Sequence, residues 1–345
     1  MPITYLLIPM SFIRSFLILI ATLCTLSAQE TATDPTQVPA PPEITEDHVR
    51  VAVLGYHDFS ATRNVEEMLI RTSKFRSQMQ AIKDLKLNVI SLEDFVLWKQ
   101  GKKTIPDKSV LITIDDGWLS VYTDAYPILK EFGYPFTIYL YTNYIDRGGR
   151  SMTSEMIKEM MKNGCSIGSH SVSHPRPSII RKYQRKGEED YKKFIDHEFG
   201  ESKKILEKSF KQKINTYVYP GGVHTPEMYE VAEKIGYQHL FTVLPGKVTR
   251  QKDDNILPRY IILGEDKHDY IFKHATTFPA NAISKSTSGA VFKKEMPHPV
   301  SPSAGEKISE RMPTISVDLS KVENIDPSSI IMRVAGFSAV PAKYD

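Results

Sequence analysis

Two adjacent carboxylates, Asp115 and Asp116, lie at the end of a β-branched run that reads TIDDGW from Thr113 to Trp118. A carboxylate can accept a proton as a general base or can ligate a metal ion. Side chains alternate along a strand, so these neighbours cannot both point the same way while the strand continues. Gly117 is expected to end the strand and allow a turn, which would bring both carboxylates to the rim with different roles.

Two histidines, His170 and His174, follow a second strand pattern that ends at Ser169. Imidazoles four residues apart on a turn or short helix face the same side. The pair alone is weak evidence, since surface histidines recur by chance. Together with a strand-end carboxylate, however, it forms the set of two His and one Asp that is typical of catalytic metal sites with open positions.

A third segment, YVYPGG from Tyr217 to Gly222, also follows a strand pattern. A Pro-Gly-Gly sequence is most often only a turn. The functional interpretation is that the backbone N–H of Gly221 is held toward the site as an oxyanion donor. Both interpretations stay open at this point.

Short β-rich runs alternate with helical patterns from Val51 onward, which predicts a parallel α/β architecture. The clearest helix is predicted over residues 190–210, where apolar residues recur at helical spacing. Because no second linker interrupts the alternation, we expect a parallel α/β barrel over residues 47–280 rather than an open sheet. The predicted strands are 51–56, 88–91, 110–114, 136–141, 166–169, 216–219, 239–243 and 261–263.

The N-terminus is predicted to direct export. Residues 1–28 contain Arg14, an apolar run and a small-residue end at Ser27 and Ala28, which is typical of a secretory signal peptide. An uncleaved anchor and a lipoprotein at Cys24 are the alternatives. Cleavage would leave Cys165 alone, so no intramolecular disulfide is expected and Cys165 is interpreted as a buried, inert thiol. No stable membrane span is expected after cleavage.

Two linkers and a β-rich tail complete the predicted organisation. Residues 29–46 are rich in Thr, Pro, Ala and acidic side chains, and residues 281–312 have a similar linker composition. Residues 313–345 are predicted to contain strands at 313–318 and 329–334 joined by a polar turn. This tail is similar to part of an immunoglobulin-like β module.

Composition excludes several classes of protein. Hydrophobic residues make up 41% and charged residues 25% of the chain, which excludes collagen-like, low-complexity and wholly disordered proteins. The net charge of +3, from 44 basic and 41 acidic residues, gives no reason to expect nucleic-acid binding or an anionic membrane partner. The partner must therefore be inferred from a local site.

Taken together, the three segments resemble the signature of the polysaccharide deacetylase family, also called the NodB-homology domain or carbohydrate esterase family 4. The resemblance spans roughly Val51 to Leu263. Further segments resemble the branch that acts on extracellular poly-N-acetylglucosamine. These are Tyr56-His57-Asp58, Gly236-Tyr237, Phe241-Thr-Val243, Gly246 and Leu257-Pro-Arg259.

The resemblance implies a distorted (β/α)7–8 barrel. It also implies an enzyme that removes acetyl groups from N-acetylated polysaccharide or oligosaccharide with a divalent metal. It implies that Asp115 is the general base and that Asp116, His170 and His174 are the metal ligands. Zinc is the expected metal, although a His₂Asp set also accepts iron, cobalt and nickel. Candidate substrate-binding residues are Trp118, Tyr219, Pro220 and His57, of which Trp118 and Tyr219 either stack on sugar rings or pack at the rim.

The sequence departs from the family pattern in two ways. Many members carry an Arg two residues before the Pro of the third segment to orient the base, whereas this chain has Val218. Arg259 is the candidate replacement. The family's later motif that supplies the general acid is also absent in recognisable form, which leaves His57, His224, His239, His268 and His274 as candidates.

The leading functional hypothesis is an exported polysaccharide N-deacetylase, located in the periplasm, at the cell surface or in the medium. One rival is a catalytically impaired relative that binds glycan, favoured by the missing Arg and acid. A second is a metal-dependent deacylase acting on another acylated substrate such as acetylxylan. The sequence makes no prediction of the oligomeric state.

Overall fold

The computed structural model describes residues 48–278, together with 300–301, 316–320, 332–333 and 339–340. The chain divides into two compact units, Met1–Thr45 and Glu46–Asp345, and all described residues lie in the second. The predicted signal peptide (1–28) and first linker (29–46) lie outside the described residues. Among the helices of the described part, none is long and apolar enough to cross a bilayer.

Strands and helices alternate through the described core. The strands are β1 Val51–Tyr56, β2 Asp58–Ser60, β3 Leu69–Arg71, β4 Asn88–Val89, β5 Ser109–Asp116, β6 Phe136–Leu140, β7 Cys165–Ser169, β8 Thr216–Val218, β9 His239–Phe241, β10 Lys247–Val248 and β11 Tyr260–Ile261. The helices are α1 Thr72–Asp84, α2 Leu92–Lys99, α3 Tyr126–Phe132, α4 Ser154–Met161, α5 Pro177–Lys186, α6 Glu188–Phe210, α7 Pro226–Ile235 and α8 Tyr270–Thr276.

A curled, mostly parallel sheet forms the centre of the molecule. Its order is β10-β1-β5-β6-β7-β8-β9, with β4 paired to β5 and β11 paired to β1. The segment from Leu257 to Ile261 closes the curl, because Phe241 of β9 bridges Leu257 while Tyr260 pairs with Leu54 of β1. The predicted α/β barrel is therefore confirmed in a distorted form.

Alternation of side chains divides the core into two clusters. Val51, Val53, Leu111, Val218 and Phe241 belong to one cluster, to which α2 adds Phe95 and Trp98. The intervening strand residues face the surrounding helices and form the larger cluster. Every residue of β1 and β6 is buried, which explains why the sequence shows continuous apolar runs there.

The strand register brings the site-bearing loops to one level. Asp116 pairs with Leu140 of β6, Leu140 with Ser169 of β7, and Ser169 with Tyr217 of β8. The loops that follow these four strands therefore begin side by side at the carboxyl edge of the sheet. Parallel barrels build their active sites at this edge.

The C-terminal part contains two short antiparallel ladders among its described residues. Val300–Ser301 (β12) pairs with Ser316–Val317 (β13), and Met332–Arg333 (β14) pairs with Ala339–Val340 (β15). Strands β13 and β14 lie within the two predicted strands, but each pairs with a partner that the sequence did not indicate. β12 lies within residues predicted to be linker, so that stretch contains a strand. The immunoglobulin-like character of residues 313–345 stays a prediction.

Candidate active site

The end of β5 turns sharply, and this turn separates the two neighbouring carboxylates. Asp116 already has a positive φ of 75°, one residue before Gly117 at 95°. Such a backbone is uncommon for a residue with a side chain. At Gly117 an added Cβ would strain the backbone and would lie 2.9 Å from Leu140 Cδ2, so that Leu140 would have to move. Asp115 is left buried while Asp116 reaches the surface loops.

Asp116, His170 and His174 come together at this edge. The Oδ1 atom of Asp116 lies 3.6 Å from His170 Nε2 and 3.5 Å from His174 Nε2. One ligand atom from each residue lies within 4.8 Å of the others. Asp116 Oδ1 is buried and has no hydrogen-bond partner among the described residues. A buried carboxylate oxygen without a partner is costly, and a cation held by this oxygen and two imidazoles would remove that cost, so the donor set fits a divalent metal.

His170 is fixed in the protonation state that a metal ligand needs. Its Nδ1 lies 2.8 Å from the carbonyl oxygen of Val218. A carbonyl oxygen only accepts, so Nδ1 carries the proton and the Nε2 lone pair faces Asp116. Burial lowers the pKa of His170 to about 4, against the opposing effect of Asp115. The ring is therefore neutral at physiological pH.

The loop that carries His174 is held by a buried carboxylate, Glu198 of α6. Its Oε2 accepts hydrogen bonds from the backbone N–H groups of Val172 and Ser173, both at 3.0 Å, and its Oε1 accepts one from Ser173 Oγ at 2.7 Å. Two loop residues, Ser171 and His174, have positive φ, so the loop has an unusual shape that these bonds stabilise. Glu198 was not expected from the sequence. The available signal was a charged residue on the apolar stripe of α6, beside Ile195 and Phe199.

Asp115 lies beside this trio in a separate polar cluster. Arg259 donates two hydrogen bonds to it, from Nη1 to Oδ1 at 2.9 Å and from Nη2 to Oδ2 at 2.8 Å. Both side chains are 1% exposed. Burial raises the pKa of the Asp115 carboxyl, but Arg259, with the imidazoles of His170 and His57, outweighs burial and holds that pKa well below its usual range. Asp115 is therefore ionised at neutral pH.

Of the five candidate histidines, His57 is the one whose described contacts include Asp115. Its Nε2 lies 3.7 Å from Asp115 Oδ2. His224 and His239 contact other groups, the Gly222 carbonyl and the Asp254 carboxylate. The rings of His268 and His274 pack near Tyr270 and Tyr260.

The site opens to solvent on one side. Side-chain exposure rises from 2% at His170 through 13% at Asp116 to 35% at His174. Two partly buried aromatic rings border this opening. The centroid of the Tyr141 ring lies 5.4 Å from that of His174, and Tyr141 stacks on Tyr144 with the ring centroids 5.1 Å apart. A ligand can thus approach the trio from the His174 side.

Comparison with known proteins gives the family. The profile described as "Polysaccharide deacetylase" matches residues 102–240. The chain is 30% identical over 208 residues to YxkH of Bacillus subtilis (strain 168), which is assigned to the polysaccharide deacetylases, and the match covers 60% of this chain and 70% of that protein. The chain belongs to the polysaccharide deacetylase family. The resemblance seen in its short motifs is confirmed.

One further relative shares sequence with this chain, and one solved structure shares its fold. A poly-beta-1,6-N-acetyl-D-glucosamine N-deacetylase of Staphylococcus aureus (strain MRSA252) is 26% identical over 220 residues, which cover 62% of this chain and 74% of that protein. The structure of IcaB from Ammonifex degensii superposes with a TM-score of 0.58 at 24% identity, covering 66% of this chain and 98% of that one. The likeness to IcaB shows that the fold is shared.

In the third motif of the deacetylase, Tyr219 and Pro220 do not lie where substrate-binding residues are expected. Tyr219 is 1% exposed and donates a hydrogen bond from its hydroxyl to the carbonyl oxygen of Asn255, and Pro220 is also buried. Neither side chain presents a surface to a sugar, because both pack beneath the loop. Gly221, with φ 59°, is exposed between them and the buried Gly222.

Two further sequence positions have clear structural places. Val218, where many deacetylases carry Arg, is buried in the core cluster, and Arg259 brings its guanidinium to Asp115 from the segment that closes the barrel. Cys165 is a free, buried cysteine whose thiol pKa is raised by burial.

Proposed function

We propose that this deacetylase uses a divalent metal to hydrolyse acetamido groups on N-acetylglucosamine-containing glycan outside the cytoplasm. The observation that carries the proposal is the unpartnered Asp116 oxygen between two imidazoles, with an ionised carboxylate and a fifth polar side chain, His57, alongside. A protein that only bound glycan would not need the buried Asp115–Arg259 pair. The arrangement thus favours hydrolysis over the glycan-binding alternative.

The metal would be held by Asp116, His170 and His174. When bound, it would polarise the acetamido carbonyl and lower the pKa of water toward neutrality. The remaining tasks in amide hydrolysis are to accept a proton from water, to stabilise the oxyanion and to protonate the leaving amine. The chain's own residues are suited to each of these.

Asp115 is the proposed proton acceptor. It is ionised at neutral pH because Arg259 offsets the effect of burial. The bidentate contact also fixes the plane of the carboxylate. The Asp115 side chain therefore loses little orientational freedom when the transition state forms. Arg259 is therefore proposed to orient the base in place of the Arg that Val218 replaces.

His57 is the proposed proton donor to the amine. Its Nε2 faces Asp115, and its Nδ1 is buried and has no hydrogen-bond partner in the described part of the chain. A histidine within reach of the base can return a proton to the leaving group. The Gly221 N–H is proposed to stabilise the oxyanion, since it lies three residues beyond the Val218 carbonyl that contacts His170.

The substrate class and the location are inferred from relatives and from the N-terminus. The Staphylococcus aureus relative is named for poly-beta-1,6-N-acetyl-D-glucosamine, and the rings of Tyr141 and Tyr144 border the open side of the site. Aromatic rings in such positions suit the apolar faces of sugars. The signal-peptide pattern in residues 1–28 supports export.

The proposal is tested by incubating the full chain, supplied with Zn²⁺ or Co²⁺, with β-1,6-linked N-acetylglucosamine oligomers while free amine and acetate are measured. Asp115→Asn is expected to lower kcat by about 10²–10⁴-fold because it removes the base. Glu230→Gln, an exposed change on α7, is the charge control and should keep parental activity.

Parallel assays with acetylated xylan, peptidoglycan fragments and aryl acetates test the substrate class. Release of acetate from the N-acetylglucosamine oligomers, with a free amine left on the sugar, supports the proposal. Turnover of xylan or aryl esters alone would contradict the glycan N-deacetylase assignment. Failure of all metals with all substrates would contradict catalysis itself.

A further inference from the structure

Trp118 contacts the metal-binding carboxylate directly. Its indole Nε1–H donates a hydrogen bond of 3.0 Å to Oδ2 of Asp116. The other oxygen, Oδ1, is the one that faces His170 and His174 and lacks a partner among the described residues. The two oxygens of one carboxylate are thus divided between two tasks.

The Trp118 ring is held in place on several sides. Its backbone forms an antiparallel bridge with Ser151, and the N–H of Leu119 donates to the Arg150 carbonyl at 2.6 Å. The Tyr144 ring meets it at 5.1 Å in an edge contact. An indole fixed in this way keeps its N–H aimed at one point.

Arg150 covers a face of the same ring. Its guanidinium carbon lies 4.6 Å from the ring centroid, and its Nη2 donates to the buried carboxylate of Asp58, next to His57. Asp58 is in turn held by Ser120 Oγ at 2.6 Å and by Arg63. One face of the Trp118 ring is therefore covered by Arg150, and stacking of a sugar on the Trp118 ring stays a prediction.

We infer that Trp118 is a positioning residue that reserves Oδ1 of Asp116 for the metal. Because an indole nitrogen only donates, it keeps Oδ2 engaged and disfavours bidentate binding by the carboxylate. A single ligating oxygen leaves more coordination positions open for water and the substrate carbonyl. The inference rests on the proposed metal centre, and it assigns to Trp118 a role that packing alone would not give.

The test compares Trp118→Phe with Tyr144→Phe in the full chain. Trp118→Phe removes the indole N–H donor and keeps an aromatic face for Arg150. Tyr144→Phe removes only a hydroxyl, so the ring that contacts Trp118 and the indole donor both remain. Zn²⁺ affinity is measured by competition with a chromophoric chelator, and Co²⁺ coordination is measured by visible absorption. Loss of a hydrogen bond to a metal ligand typically weakens metal affinity by about 10–100-fold.

Trp118→Phe is therefore expected to weaken Zn²⁺ affinity by about 10–100-fold and to weaken the Co²⁺ absorption, as the freed Oδ2 raises the coordination number. Tyr144→Phe should match the parent in both. Parental affinity and an unchanged spectrum in a folded Trp118→Phe protein would overturn the inference. A parent that binds neither metal would instead contradict the proposed metal centre.

A second measurement does not depend on how the variant folds. The chain has two tryptophans, Trp118 and the fully buried Trp98 of α2, so a ¹⁵N-indole spectrum has two signals to assign. Zn²⁺ is expected to shift the Trp118 Nε1–H signal and to leave the Trp98 signal in place. Saturation with Zn²⁺ without any shift at Trp118 would refute the contact with the metal-binding carboxylate.

Discussion

At the scale of single residues, the pair of Asp115 and Arg259 decides how the site responds to pH. Burial alone would raise the pKa of Asp115, and the guanidinium, together with the imidazoles of His170 and His57, reverses that effect. A carboxyl whose pKa is lower in the folded than in the unfolded chain stabilises the fold above its ordinary pKa of about 3.9. That contribution is lost as the pH falls through the lower folded value.

Replacement of Arg259 should move the acid limb of the profile of kcat/KM against pH to higher pH. Asp115 acts in its ionised form, so kcat/KM falls as the pH drops through the pKa of that carboxyl. In Arg259→Met the effect of burial is no longer offset, the pKa rises and the limb moves to higher pH. Arg259→Lys restores one charge without the bidentate contact and should give an intermediate limb.

The measurement is kcat/KM against pH for the three proteins, with thermal unfolding to confirm that each is folded. Loss of one partner of a buried ion pair typically destabilises by about 3–5 kcal/mol, so Arg259→Lys is the more informative variant if the Met variant unfolds. An acid limb at the same pH in parent and Lys variant would show that Arg259 does not set the pKa of the base.

At the scale of elements, strand-end position was the strongest guide that the sequence offered. The three segments that contain Asp116, His170 and Pro220 were placed at the ends of β-rich runs, and the strand register aligns Asp116, Ser169 and Tyr217 in one row. The helix predicted over residues 190–210 is α6, Glu188–Phe210. Not every apolar residue of this helix is buried, since Ile205 is exposed whereas its neighbour Leu206 is buried.

Contacts between distant segments could not be read from local patterns. Arg259 was a candidate because of its residue type, since no sequence periodicity indicates that it contacts Asp115 at the end of β5. Glu198 was hidden by the charged composition of α6, although it lies on the buried stripe. The turn at Asp116 begins before the glycine, a shift of one residue that propensity cannot resolve.

Glu198 gives a test of how α6 supports the site. In Glu198→Ala the backbone N–H groups of Val172 and Ser173 lose their acceptor. Val172 is buried, so its unpaired N–H should cost about 1–3 kcal/mol. The His174 loop should then hold the metal less tightly. Thermal unfolding with and without Zn²⁺ is expected to show a lower Tm for the variant and a smaller increase of Tm on Zn²⁺ addition.

Glu201→Ala is the matched control, because Glu201 lies on the same helix in a surface pair with Lys204 at 3.2 Å. It should change the Tm and the Zn²⁺ response little, since exposed pairs contribute about 0–1 kcal/mol. Equal Zn²⁺ responses for the two variants would contradict the supporting role of Glu198.

At the scale of the whole molecule, the fold of this chain matches that of a solved structure over nearly the full length of that structure. IcaB of Ammonifex degensii is covered to 98%. The barrel brings together residues from β1, β5, the loops after β7 and β8, and the closing segment near Arg259, so the site requires the closed curl. Export, by contrast, depends on residues 1–28 and stays a proposal.

The proposed hydrolysis requires one cation bound by Asp116, His170 and His174. The most direct measurement is the zinc content of purified, dialysed full-length parent, Asp115→Asn and His174→Ala proteins, each confirmed to be folded. We expect one zinc ion per chain in the parent and in Asp115→Asn, and strong depletion in His174→Ala. A parent that takes up no zinc, cobalt, nickel or iron, or a His174→Ala protein that retains a full equivalent, would contradict it.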